Sequence, residues 1–150
     1  MLFTYSGLVS VDSEPLGLVS KARAEGKDWQ ALLKSGVQPN FRKRGTVRSV
    51  FDGRYKFTRY FSPVQRHRPD TLDELYEYND VELFDLQTDP AETTNLAATK
   101  GQDRDAVLAM SAKLEALIKA EMGGDDGREM PELRGVAWTI DTKDNETVLD

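Results

Sequence analysis

An Asp-Gly pair between two β-rich runs constrains this chain more than any other feature. In TVRSVFDGRYKFTRY, residues 46–60, Asp52-Gly53 is the dipeptide favoured at the centre of a two-residue type I′ hairpin, where both residues take positive φ. A turn centred there sets Val50 opposite Tyr55 and Arg48 opposite Phe57 on one face. Ser49, Phe51, Arg54 and Lys56 then share the other. A third strand is expected at Val81–Leu86, VELFDL, after a long excursion over 61–78 that holds Pro63, Pro69 and many charges.

Helical spacing is clearest over 103–122, where Val107, Met110, Leu114, Leu117, Ile118 and Glu121 recur three and four residues apart and Gly123-Gly124 supplies the stop. Its stripe should lie on the sheet. The fold class expected is therefore α+β, a small antiparallel sheet with a C-terminal amphipathic helix packed on one face. Upstream, Ser13 with Pro15 in the first turn opens a short helix that Gly26 ends, and Asp28 caps another over WQALLK. Residues 1–5, MLFTY, read as an abrupt apolar strand, and Asp89 is placed to cap a single helical turn begun by Pro90 and containing Glu92. The organisation expected is a preceding segment of short helices and loops over 1–43, a subdomain over 44–122 and an acidic peripheral tail over 123–150. In that tail Met130, Val136, Trp138 and Ile140 are placed to dock.

Composition removes several classes. The 150 residues, 39% hydrophobic and 31% charged, suffice for one core. The absence of cysteine excludes disulfides, thiolate metal sites and a cysteine nucleophile. With no run of 18 apolar residues and no basic-then-apolar start, neither a membrane span nor a secretory signal is readable, so the chain expressed as it stands would be cytoplasmic. The formal charge of −6 hides a split, because residues 1–70 carry +7 and residues 71–150 carry −13. Opposite halves of one domain attract each other, and a basic face also suits an anionic ligand.

The ordered set RGTVRSVFDGRYKFTRYF, then ELFDLQTDPAETTNLA, then an amphipathic helix resembles the C-terminal subdomain of the type I sulfatases, relatives of alkaline phosphatase. The specific part is Leu83-Phe84-Asp85-Leu86-x-x-Asp89-Pro90-x-Glu92-x-x-Asn95-Leu96, with Phe84 where the family carries tyrosine; Arg48 and Tyr55-Lys56 match its preceding strands. The resemblance covers about residues 44–122, and MLFTYSGL looks like the strand that precedes this subdomain. It implies a partner, an upstream catalytic α/β domain with a formylglycine nucleophile made from Cys/Ser-x-Pro-x-Arg and a calcium or magnesium ion. Neither Ser13-Glu14-Pro15 nor Ser62-Pro63 completes that motif. The tempting metal neighbours Asp125-Asp126 and Asp144-Asn145 read as solvated tail, so no cofactor is expected in this chain itself. The reading is a non-catalytic part of a sulfuric ester hydrolase; the alternative is a self-standing anion-binding or protein-interaction module.

Residues 40–70 hold nine basic side chains, Arg42, Lys43, Arg44, Arg48, Arg54, Lys56, Arg59, Arg66 and Arg68, interleaved with aromatics. Single-stranded nucleic acid can stack on such a surface, but most of these rings sit on strand positions that a core needs. No nucleic-acid partner is expected, and contacts within the protein rank first. Arg66, His67 and Arg68 are the candidates for the rim of a sulfated or otherwise anionic substrate pocket, against the plainer reading of a solvated loop. Arg48 shares the inner face with Tyr55 and Phe57, and a buried arginine needs a partner, for which Asp85 is the candidate ion pair.

Overall fold

The computed structural model describes residues 1–7, 12–62 and 68–123. Its elements run β1 (Leu2–Ser6), α1 (Ser13–Ala24), α2 (Trp29–Lys34), β2 (Thr46–Phe51), β3 (Tyr55–Phe61), α3 (Leu72–Tyr78), β4 (Asn79–Asp85) and α4 (Arg104–Glu121). The strands form one antiparallel sheet in the order β1-β2-β3-β4. Helix α4 packs against β1, β2 and β3. The fold is thus the α+β layer pair expected, with one strand more: β1 pairs along its whole length with β2, so the sheet draws on both sides of residue 44.

The hairpin forms one residue later than its Asp-Gly pair suggests. Asp52 N donates to Tyr55 O at 3.2 Å, leaving Gly53-Arg54 as the central residues, and Gly53 alone takes positive φ, at 107°. Positive φ at the first central residue only is the pattern of a type II′ turn, and it replaces the expected type I′. The Asp52 side chain decides the difference, because its Oδ1 accepts from the N–H groups of both Arg54 (3.0 Å) and Tyr55 (2.8 Å). Val50 therefore faces Phe57, and Arg48 faces Arg59. Partners move by two positions, an even step, so every side chain on the strands keeps its expected face, while Arg54 passes into the turn.

That parity builds the core. Val50, Phe57, Val81 and Leu83 on the inner face meet Val107, Met110, Leu114 and Ile118 of α4, with Leu72, Leu75 and Ala97 closing the side. Leu117 is only half-buried and Glu121 is exposed, so the helical stripe is narrower than its spacing suggests, and the buried Ser111 completes it. On the outer face Ser49 Oγ donates to Phe57 O at 3.0 Å and lies 2.8 Å from Thr58 Oγ1, while Phe3, Tyr5 and Phe51 are exposed.

Local capping explains the short helices. Asp28 caps α2 as expected, accepting from Gln30 N and Ala31 N. Helix α1 is capped by Asp12 rather than Ser13, and the same carboxylate accepts from Asn40 N and Lys43 Nζ, both at 2.8 Å, which ties the helix to the loop before β2. Helix α3 lies inside the expected excursion and opens on a capping box, in which Thr71 and Glu74 satisfy each other's backbone N–H. Gly17 sits exposed inside α1 with open space where a Cβ would stand. Gly17→Ala is expected to raise stability by about 0.5–1 kcal/mol, read as a higher urea midpoint.

Candidate functional site

Two buried guanidiniums lie side by side on the inner face. Arg48 and Arg59 are cross-strand partners, each 1% exposed, and their guanidinium carbons stand 5.5 and 5.0 Å from the centroid of the Phe61 ring. Arg59 Nη2 reaches Glu115 Oε1 of α4 at 2.6 Å, and Arg48 Nη1 donates to Val47 O at 3.1 Å. Glu115 is four residues beyond buried Ser111 and three before Ile118, at the margin of the apolar stripe, and that placement is the sequence signal for an acid turned toward the sheet.

The expected Arg48–Asp85 ion pair does not form. Register forbids it: Arg48 stands across from Arg59, Arg59 across from Val81, and Asp85 is four residues further along β4, about 13 Å at strand rise. Asp85 instead accepts from Arg54 Nε (3.1 Å) and Nη2 (2.7 Å), a two-pronged contact that holds its carboxyl below the ordinary range. Arg54, at the turn, reaches the end of β4, and Arg48, within β2, does not.

The segment after β4 is a wrap held by its own polar side chains. Asp85 O accepts from Thr88 N (3.1 Å) and Asp89 N (2.8 Å), and Asp85 Oδ1 accepts from Gln87 N at 3.1 Å. Glu92 N donates to Asp89 O at 3.1 Å across Pro90, which makes one β-turn where a helical turn was expected. The Asp89 carboxylate reaches past that turn to Thr93 Oγ1 (3.0 Å) and Thr94 N (2.7 Å), and the Thr94 N–H holds its pKa down. Glu92, at φ 55°, accepts from Lys56 Nζ at 2.6 Å. Asn95 Oδ1 accepts from Leu83 N and Ala97 N, both at 2.9 Å, and its Nδ2 donates to Val81 O at 3.0 Å. With Leu96 N donating to Leu83 O at 2.8 Å, this seals the outer edge of β4.

The basic stretch is largely neutralised from within. Arg44 pairs with Asp80, Arg54 with Asp85, Lys56 with Glu92 and Arg59 with Glu115, each joining the basic half to the acidic half, while Lys43 pairs with Asp12. Arg68 is exposed, and Arg66 and His67 lie outside the described residues, as do Asp125, Asp126, Asp144 and Asn145. Among the described residues no group of three or more His, Asp or Glu side chains is arranged to hold a metal ion. Burial first, then the bond its hydroxyl donates to Glu82, pushes Tyr60 up to about 12. Among the described residues no helix is long and apolar enough to cross a membrane.

Comparison with protein families, curated proteins and solved structures gives no match. The chemistry is therefore read from the geometry itself, which joins carboxylates to cations and amides in fixed pairs. Asp52 shows the consequence: the Lys113 ammonium first, then the N–H groups of Arg54 and Tyr55, lower its pKa to about 2. A depressed carboxyl contributes stability that is complete above its unfolded range and is lost as pH falls through the folded value. Asp52→Asn keeps the turn's acceptor oxygen and removes the titration. Its urea midpoint should fall less than the wild type's between about pH 4 and pH 2.

Proposed function

We propose that this chain is the C-terminal subdomain of a type I sulfatase-like sulfuric ester hydrolase, supporting a catalytic α/β domain and inactive alone. The observation that carries the reading is the wrap over residues 83–96. The residues quoted for the resemblance each have a scaffold task there: Asp85 binds Arg54, Asp89 closes its loop, Glu92 binds Lys56 and Asn95 seals β4. A recurrent motif with purely architectural tasks suits a supporting subdomain. The nucleophile, and the calcium or magnesium ion such chemistry uses, would belong to the catalytic domain. Arg66, His67 and Arg68, consecutive in sequence, would then border the entrance for a sulfated substrate.

The isolated chain is expected to turn over no chromogenic aryl sulfate in the presence of calcium above a buffer control. The stronger test is replacement. A type I sulfatase cut before its own C-terminal subdomain should regain soluble expression and aryl sulfate turnover when this chain is fused in that place. An insoluble or inactive fusion, beside a control refused to its native subdomain that works, would overturn the proposal, as would turnover by the isolated chain.

A further inference from the structure

The two edges of the sheet are treated differently. The β4 edge is sealed by Asn95 and Leu96, whereas no described residue covers the β1 edge. Met1 and Phe51 exchange backbone bonds at 3.0 and 3.1 Å, and Gly7 N donates to Gly45 O at 2.9 Å. Antiparallel alternation then turns Phe3 and Tyr5 toward β2, and turns the N–H and C=O groups of Leu2, Thr4 and Ser6 away from the sheet. Among the described residues nothing bonds these outward groups, and Thr4 is exposed. The strand LFTYS also lacks the charges and prolines with which natural edges discourage pairing.

We infer that β1 pairs antiparallel with β1 of a second copy of this chain, about a two-fold axis through Thr4. That register is self-complementary. Thr4 exchanges two backbone bonds with the partner's Thr4, and Leu2 and Ser6 do the same with the partner's Ser6 and Leu2, satisfying every open group. Phe3 then falls opposite the partner's Tyr5 at the closely spaced non-hydrogen-bonded position. There the exposed rings, 53% and 52% accessible in the single chain, stack in two cross-strand aromatic pairs. No like charges meet across the axis, so a second copy is admitted where a charged strand would repel itself. Because β4 is sealed, pairing uses up the only open sheet edge among the described residues, and the assembly closes at two. The pairing is independent of any hydrolase role.

Sedimentation from low to high micromolar concentration should show a reversible monomer–dimer equilibrium. Thr4→Lys, at an exposed position, sets two ammonium groups on the axis and should weaken dimerisation at least about tenfold with an unchanged circular dichroism spectrum. The chain holds no cysteine, so Thr4→Cys places one thiol per copy. A short bismaleimide should then link the dimer well ahead of a Ser20→Cys control on the exposed face of α1. A native chain that stays monomeric across the range, a dimer indifferent to Thr4→Lys, or equal linking rates for the two thiols would each overturn the inference.

Discussion

Phe57→Ala should lower the free energy of unfolding by about 3–5 kcal/mol, a large share of what a domain of this size possesses. Phe57 is fully buried between its strand neighbours Val50 and Leu83 and beneath α4. Truncation removes the apolar contacts of a whole ring and leaves a cavity that a sheet braced on both sides cannot collapse. Phe51 lies in the same hairpin on the opposite face and is 36% exposed, so Phe51→Ala should cost less than about 1 kcal/mol. Urea midpoints for the two variants read the orientation of the whole hairpin. Equal losses would mean that the inner and outer faces are wrongly assigned.

Asn95→Ala should cost about 2–3 kcal/mol although it removes little apolar surface. Three hydrogen bonds of this amide are lost, and Leu83 N and Val81 O, at the margin of the core, are left without partners. Asn95→Asp keeps the acceptor for Leu83 N and loses the donor to Val81 O, so its cost should fall between those of wild type and alanine. Urea unfolding gives the ranking, and faster amide exchange at Leu83 in the alanine variant locates the damage. An alanine variant as stable as wild type would show that the wrap holds β4 without its amide.

What was legible in the sequence follows from which features depend on parity and which on absolute register. The hairpin faces survived a two-position error because side-chain direction repeats every second residue. The Arg48–Asp85 pairing did not survive, since a salt bridge needs two particular positions brought together, and Arg54 stood nearer. Helix α3 was hidden by its setting, with only Leu72 and Leu75 buried in a seven-residue helix among prolines and charges, although Thr71-x-x-Glu74 announces its start. The opposed charge of the two halves was plain, yet which cation meets which carboxylate is fixed by strand order. The Asn95 seal was visible as part of a motif, but its task appears only once β4 has an outer edge to close.

The order of the strands also has a meaning in time. β2 and β3 are joined through residues 52–54, whereas β1 reaches β2 only by closing the loop of residues 7–45. By chain statistics a loop about thirteen times longer costs about 2 kcal/mol more to close. The hairpin is therefore the place where the sheet nucleates and β1 the strand that arrives last, so its formation should slow folding little while its detachment should be the earliest step of unfolding.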